Sequence, residues 1–199
     1  MCCWLTSKPQ NIESVKMTKV VTGKVRVSYW KADTGETNKL NNKHEFGTKI
    51  IIPKTDTETV QAIKAAAKAA IVQKWGDKAP KNLRNPLRDG DTESKQDGSP
   101  MGPAYEGCYF MNVKSTKRPG IVNTKGQEMA DGAIKSGDYV RVSLNAFAYS
   151  NAGNNGVSLG LNNVLFVEEG ESLGGGRSSA ADDFGISKAA ATVSDDDWA

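Results

Sequence analysis

The stretch DYVRVSLNAFAYS (138–150), followed by NAGNNG (151–156) and GVSLGLNNVLFVEE (156–169), decides the fold. Val140, Val142, Leu144, Ala146 and Ala148 alternate with Tyr139, Arg141, Ser143, Asn145, Phe147 and Tyr149. A two-residue period over this length is a strand with one face buried and one face out. The Asn/Gly cluster is hairpin chemistry, and the second apolar run returns as the partner strand. Upstream, VVTGKVRVSYW (20–30) alternates in the same way, with Val21, Val25, Val27 and Tyr29 on one side. Lys24, Arg26, Ser28 and Trp30 fall on the other. ADTGETNKLNNK (32–43) reads as turn, EFGTKIIIP (45–53) as a second strand stopped by Pro53, and AYEGCYFMNVKS (104–115) as a third. TKRPGIVNTKGQEM (116–129) adds a basic turn and a short strand.

TDTETVQAIKAAAKAAIVQKWG (55–76) is the one helix. Thr55 and Glu58 have capping-box spacing, and Val60, Ile63, Ala67, Ile71 and Trp75 make an apolar stripe. Gly76 is the expected stop. Five or six mostly antiparallel strands with one inserted helix predict a mainly β, OB-fold-like barrel. The domain is expected over 19–169, between a flexible extension, 1–18, and a flexible tail, 170–199, rich in Gly, Ser, Ala and Asp.

The 199 residues carry a net charge of +3, unevenly spread. From Glu168 onward two bases face eight acids, a net −6, which leaves 24 bases and 15 acids, +9, on 1–167. A basic body suits a polyanion, and the acidic tail resembles one. No apolar run reaches the roughly 20 residues of a membrane span. Three cysteines make no disulfide framework, and with the single His44 they make no zinc site. Asp89, Asp91 and Glu93 in RDGDTE miss the ligand spacing of a calcium loop, and GESLGGGRSS puts Gly176 where a phosphate loop needs lysine. No catalytic set, metal or cofactor is expected.

Candidate function lies on the outward faces. Lys24, Arg26 and Trp30 share a side of the first strand; Arg141, Asn145, Phe147 and Tyr149 share a side of the hairpin. Rings interleaved with cations suit unpaired nucleotides, since bases stack on rings while cations meet phosphates. Loop bases Arg84 and Arg88, and Lys114, Lys117 and Arg118, would extend the grip. At the other end SDDDWA sets Asp195, Asp196 and Asp197 beside Trp198, and DDF places Phe184 after two acids. Acid beside aromatic suits docking: charge steers and the ring fills a pocket. The same tail could occupy its own basic body in competition with nucleic acid.

Six segments carry a family resemblance: TGKVRVSY (22–29), IIIPKTDTETVQAIKAA (50–66), NPLRDGD (85–91), YEGCYFMN (105–112), SGDYVRVSLNAFAY (136–149) and GVSLGLNNVLFVEEGESLGGGRSSAADDF (156–184). The chain resembles a tailed-phage family long catalogued as a domain of unknown function. That family is similar to the phage replication single-stranded-DNA-binding proteins, OB-folds with acidic C-terminal tails. The resemblance implies a non-enzymatic protein that coats single-stranded DNA in replication or recombination, in the cytoplasm of an infected bacterium. It also implies replication partners reached through the tail. Family tails usually finish on the aromatic, whereas here Ala199 follows Trp198. Two other readings stay open: a coat that also holds duplex DNA, more weakly, and a phage structural or assembly protein whose rings bury an interface. Homodimerisation is left open too.

Overall fold

The computed structural model describes residues 18–39, 42–95, 97–151 and 153–173. Eight strands form one sheet: β1 (Lys19–Val21), β2 (Val25–Asn38), β3 (Lys43–Pro53), β4 (Arg88–Asp89), β5 (Cys108–Ser115), β6 (Gly120–Val122), β7 (Tyr139–Asn151) and β8 (Asn154–Glu168). Among the described residues there is one α-helix, α1, at Thr57–Trp75. Along the sheet β7, β2, β3, β5 and β8 are successive neighbours, and β8 pairs back onto β7, which closes a ring. The expected mainly β class with one helix is what the structure shows, but the strands make a ring rather than the expected barrel. The strands are more numerous than anticipated, and two pairings, β5–β8 and β6–β8, are parallel.

The inner face follows the period of two. Val25, Val27, Ile50, Ile52, Met111, Val113, Val140, Val142, Leu144, Leu159 and Leu161 are buried in one core. Burying each such side chain is worth about 1.5–3 kcal/mol, so the alternation alone holds these strands in register. The predicted hairpin is present, running in register from Arg141↔Leu165 to Asn151↔Asn154 with one shift after Ser143.

The helix starts one residue off the expected box. Asp56 is the N-cap, its carboxylate accepting the Thr59 N–H at 3.1 Å, so Thr55 and Glu58 do not form the box. The buried face is Thr59, Val60, Ile63, Ala66 and Ala70, packed against β7, β1 and β8. Trp75 lies at the end of that face, half-buried, and Gly76 (φ 55°) ends the helix as expected. No helix among the described residues is long and apolar enough to cross a membrane.

One irregularity reorganises the outer face. The β2–β3 register shifts between Ser28 and Lys31, and Tyr29 sits at φ 51°. The bulge breaks the alternation. Tyr29 points outward, 65% exposed, while Trp30 turns inward and packs against the main core. This reverses the expected facing of both residues. The physical reason is that one extra residue in a strand flips every later side chain to the opposite face.

Candidate nucleic-acid interface

On the outer surface of β2, β3 and β5 a second, small core surfaces: Ile51, Tyr105 and Phe110, with Leu173 and Met101 against it. Tyr105 and Phe110 meet edge to face at 5.3 Å. The Tyr105 hydroxyl donates to Ser28 Oγ at 3.1 Å, which fixes the ring under β2, and burial pushes the phenol upward from its ordinary pKa. Above this floor stands Lys49, its Nζ 4.7 Å from the Tyr29 ring, 5.4 Å from Tyr105 and 5.3 Å from Phe110. Burial, and then the charge of Arg88, push the Lys49 ammonium below its usual pKa. No carboxylate is ion-paired with Lys49 among the described residues. Arg88 itself lies 5.1 Å over Phe110 and pairs with Glu93.

Tyr29 thus combines three features: an outward ring, a backbone conformation rare for a bulky residue, and a cation beside it. Such a φ costs about 1–2 kcal/mol for a residue with a Cβ. A strained, exposed aromatic is a candidate ligand contact. A groove of about 470 Å³ opens beside it, bounded by Lys31, Lys39, Lys49, Asn112 and Lys114. Lys114 is held by the half-buried Glu45 at 3.0 Å, and Lys31 pairs with Glu36 in the open. An exposed pair is worth about 0–1 kcal/mol, so a phosphate can displace Glu36 from Lys31.

The residues singled out in the sequence are not all brought together. Arg88 lies over Phe110, the ring that Lys49 also covers, and Lys114 lines this groove. Arg26 lines the neighbouring one, beside Tyr29, Lys95 and Tyr105, but donates to the carbonyls of Gly137 (3.0 Å) and Glu171 (2.5 Å). Lys24 pairs with Glu168 at 2.8 Å, and that hydrogen bond raises its pKa. Lys24 and Arg26 both lie over Tyr139, where the ring closes. Arg141 donates to the Thr22 carbonyl at 3.1 Å. Trp30 is inside, so the expectation that it offers a stacking ring is corrected by the bulge.

At the hairpin, Phe147 is 49% exposed and Asn145 donates to Asn162 at 3.3 Å. Tyr149 is half-buried, its hydroxyl over Gly156. Arg84 joins the same end: its segment bridges to Gly156, with its N–H on Asn155 O at 2.9 Å. Lys117 is exposed in the loop after β5, and Arg118 pairs with Asp131. Asp195, Asp196, Asp197, Trp198 and Phe184 lie outside the described residues.

The acids of RDGDTE also have partners. Asp89 and Asp91 both hold Lys54, each at 2.7 Å, and this lysine keeps both carboxyls below their usual range. Asp91 also accepts the Gly107 N–H at 2.8 Å, so the motif ties the 88–107 loop to the end of β3.

Tyr29 and Lys49 are the residues that sequence reasoning missed. The pattern VRVSYW counts Tyr29 inward because nothing in six residues announces a bulge. Lys49 looks like a single polar interruption before Ile50. A weak signal exists: Lys31 next to Ala32 breaks the alternation, as a bulge would.

Residues 18–197 match the family model described as Enterobacter phage Enc34, ssDNA-binding protein. Protein p50 of Acyrthosiphon pisum secondary endosymbiont phage 1 is 30% identical over 151 residues, 70% of this chain and 78% of that protein. Among solved structures, the single-stranded DNA-binding protein from bacteriophage Enc34 in complex with ssDNA superposes with a TM-score of 0.70 at 18% identity, over 80% of this chain and 91% of that one. Gp2.5, a single-stranded DNA binding protein encoded by bacteriophage T7, gives 0.51 at 17% identity, over 81% and 97%. With nearly the whole chain inside the family model, this protein belongs to the family of the Enterobacter phage Enc34 ssDNA-binding protein.

Proposed function

We propose that this chain binds single-stranded DNA during phage replication or recombination, as a binding protein rather than an enzyme and with little sequence preference. One observation carries the reading: the outward ring of Tyr29, held at φ 51° beside the ammonium of Lys49 at 4.7 Å. A base stacks on Tyr29, worth about 1–3 kcal/mol whatever the base, because every base has a π-face. The phosphates on either side meet Lys49, Lys31, Lys114 and Arg88. Phe147 and Tyr149, with Arg84, form a second contact region at the hairpin. Arg26 and Arg141 contribute less, since backbone carbonyls engage part of their donors, Lys24 is held by an exposed pair with Glu168, and Trp30 is not a stacking ring. Lys117 and Arg118 add long-range attraction at the end of β5. The acidic tail, with Asp195, Asp196, Asp197 and Trp198, recruits replication partners and competes with DNA for the basic body. The protein works in the cytoplasm of the infected host.

The test is a gel shift with single-stranded oligonucleotides over a salt series, on the full chain and on Tyr29→Ala. Affinity falls with salt with a log–log slope of about −0.7 per phosphate contact. Tyr29→Ala weakens binding at every salt concentration. Equal affinity for single strand and duplex in competition would favour a general coat over this reading, because phosphate contacts alone do not discriminate.

A further inference from the structure

The strand register places six outward residues on a single line across the sheet. Lys31 (β2) pairs with Gly47 (β3), Gly47 with Lys114 (β5), Lys114 with Gly160 (β8), Gly160 with Asn145 (β7) and Asn145 with Lys19 (β1). All six face away from the main core, and the three lysines and Asn145 are exposed. Neighbouring strands lie about 4.8 Å apart, so the row covers about 24 Å of strand spacings, and because β7 also pairs with β2 it follows the curved outside of the ring rather than a flat face. Beside it stand the two exposed rings of the outer face, Tyr29 near one end and Phe147 near the other.

Its glycines have different causes. A Cβ on Gly47 would meet the Val113 carbonyl at 2.7 Å, so the fold itself demands glycine there. At Gly160 a Cβ would meet only ordinary contacts, Phe147 Cε1 at 3.7 Å and two carbonyls at 3.8 Å, and its φ is not positive. Glycine inside a strand costs about 0.5–1 kcal/mol against alanine. The fold would therefore be better served by a side chain at 160. Bare backbone in a strand with room for a Cβ marks the close approach of something else.

Building on the proposed single-strand binding, we infer that the nucleotide track does not end at Lys114. It crosses the bare backbone of Gly160 onto β7 and β1, where Phe147 is the second stacking ring and Lys19 the last cation. Gly160 is thus a positioning residue: it touches the strand through its backbone and keeps the path between Lys114 and Phe147 open. A side chain there fills the floor between the two contact regions and splits one long site into two short ones.

The experiment is fluorescence anisotropy with labelled oligothymidylates of graded length, from about 4 to 16 nucleotides, the range of one OB-fold site. The readout is the ratio of affinities for the longest and shortest oligonucleotides, on wild type, Gly160→Leu, Gly160→Ala, Phe147→Ala and Tyr29→Ala. Gly160→Leu and Phe147→Ala should each reduce that ratio about tenfold, with Gly160→Ala in between. Tyr29→Ala should weaken all lengths. An unchanged ratio in both Gly160→Leu and Phe147→Ala overturns the extended track. If Gly160→Leu melts below wild type, the half-exposed Phe147→Ala decides alone. Failure of the wild type to bind at any length would instead remove the parent reading.

Discussion

Two basic regions of the outer surface look alike in composition and differ in what their charges do. At the ring closure, Lys24 and Arg26 lie over Tyr139, Lys24 pairs with Glu168, and the carbonyls of Gly137, Glu171 and Thr22 accept from Arg26 and Arg141. In the cradle of β2, β3 and β5, Lys49 stands over three rings without an ion pair among the described residues, and Tyr29 is strained outward above it. The first arrangement holds the chain together; the second is held ready for something else. Counting bases on a face does not measure its capacity for phosphate. What counts is which donors the fold has left unspent.

The largest separation between the two regions should come from Tyr29→Ala, which removes a stacking platform worth about 1–3 kcal/mol, roughly 5- to 150-fold in affinity. Anisotropy titration measures it, and a loss below twofold would erase the distinction. Lys49→Ala should come next, lowering affinity and flattening the salt dependence by about 0.7 in slope.

A third outcome concerns pH. Burial lowers the Lys49 pKa in the free protein, and a bound phosphate would favour the charged form and raise it. Binding then takes up a proton where the free lysine is neutral. Affinity should therefore be complete below the free-state pKa of Lys49 and decline as alkaline pH rises through it. Lys49→Arg should remove that decline, because arginine stays charged. A smaller effect is expected from Tyr29→Gly, which relieves the left-handed strain: thermal melting should show no loss of stability although DNA affinity falls. The least effect is expected at the other region. Arg141→Ala and Lys24→Ala should change affinity by less than about twofold, as for side chains at the ring closure rather than beside Tyr29 or Phe147. A tenfold loss at either would mean that DNA displaces those partners and that both regions bind.

Much of the scaffold was legible in the residues. The alternation of Val140, Val142, Leu144 and Ala146 marked a buried face, and Asn/Gly at 151–156 marked the turn, because both signals are local. The helix was equally plain, although its cap fell on Asp56 rather than Thr55. The site was less legible. Trp30 and Tyr29 were assigned opposite faces from those they take, since a bulge is set by what β3 can pair with and leaves little trace in β2. Arg88 and Lys114 were correctly set apart as bases, but their association with Lys49, Tyr105 and Phe110 depends on strands up to about 60 residues apart in sequence meeting in the ring.

What the sequence determined by itself was the mainly β, one-helix class, the alternating core and the contrast between a basic body and an acidic C-terminal end. Each follows from the period and charge of neighbouring residues. Only the tertiary structure decided which bases remain available and which aromatics face out. Those depend on register, on one extra residue at Tyr29 and on acceptors supplied from distant segments, and a strand read alone contains none of its partners.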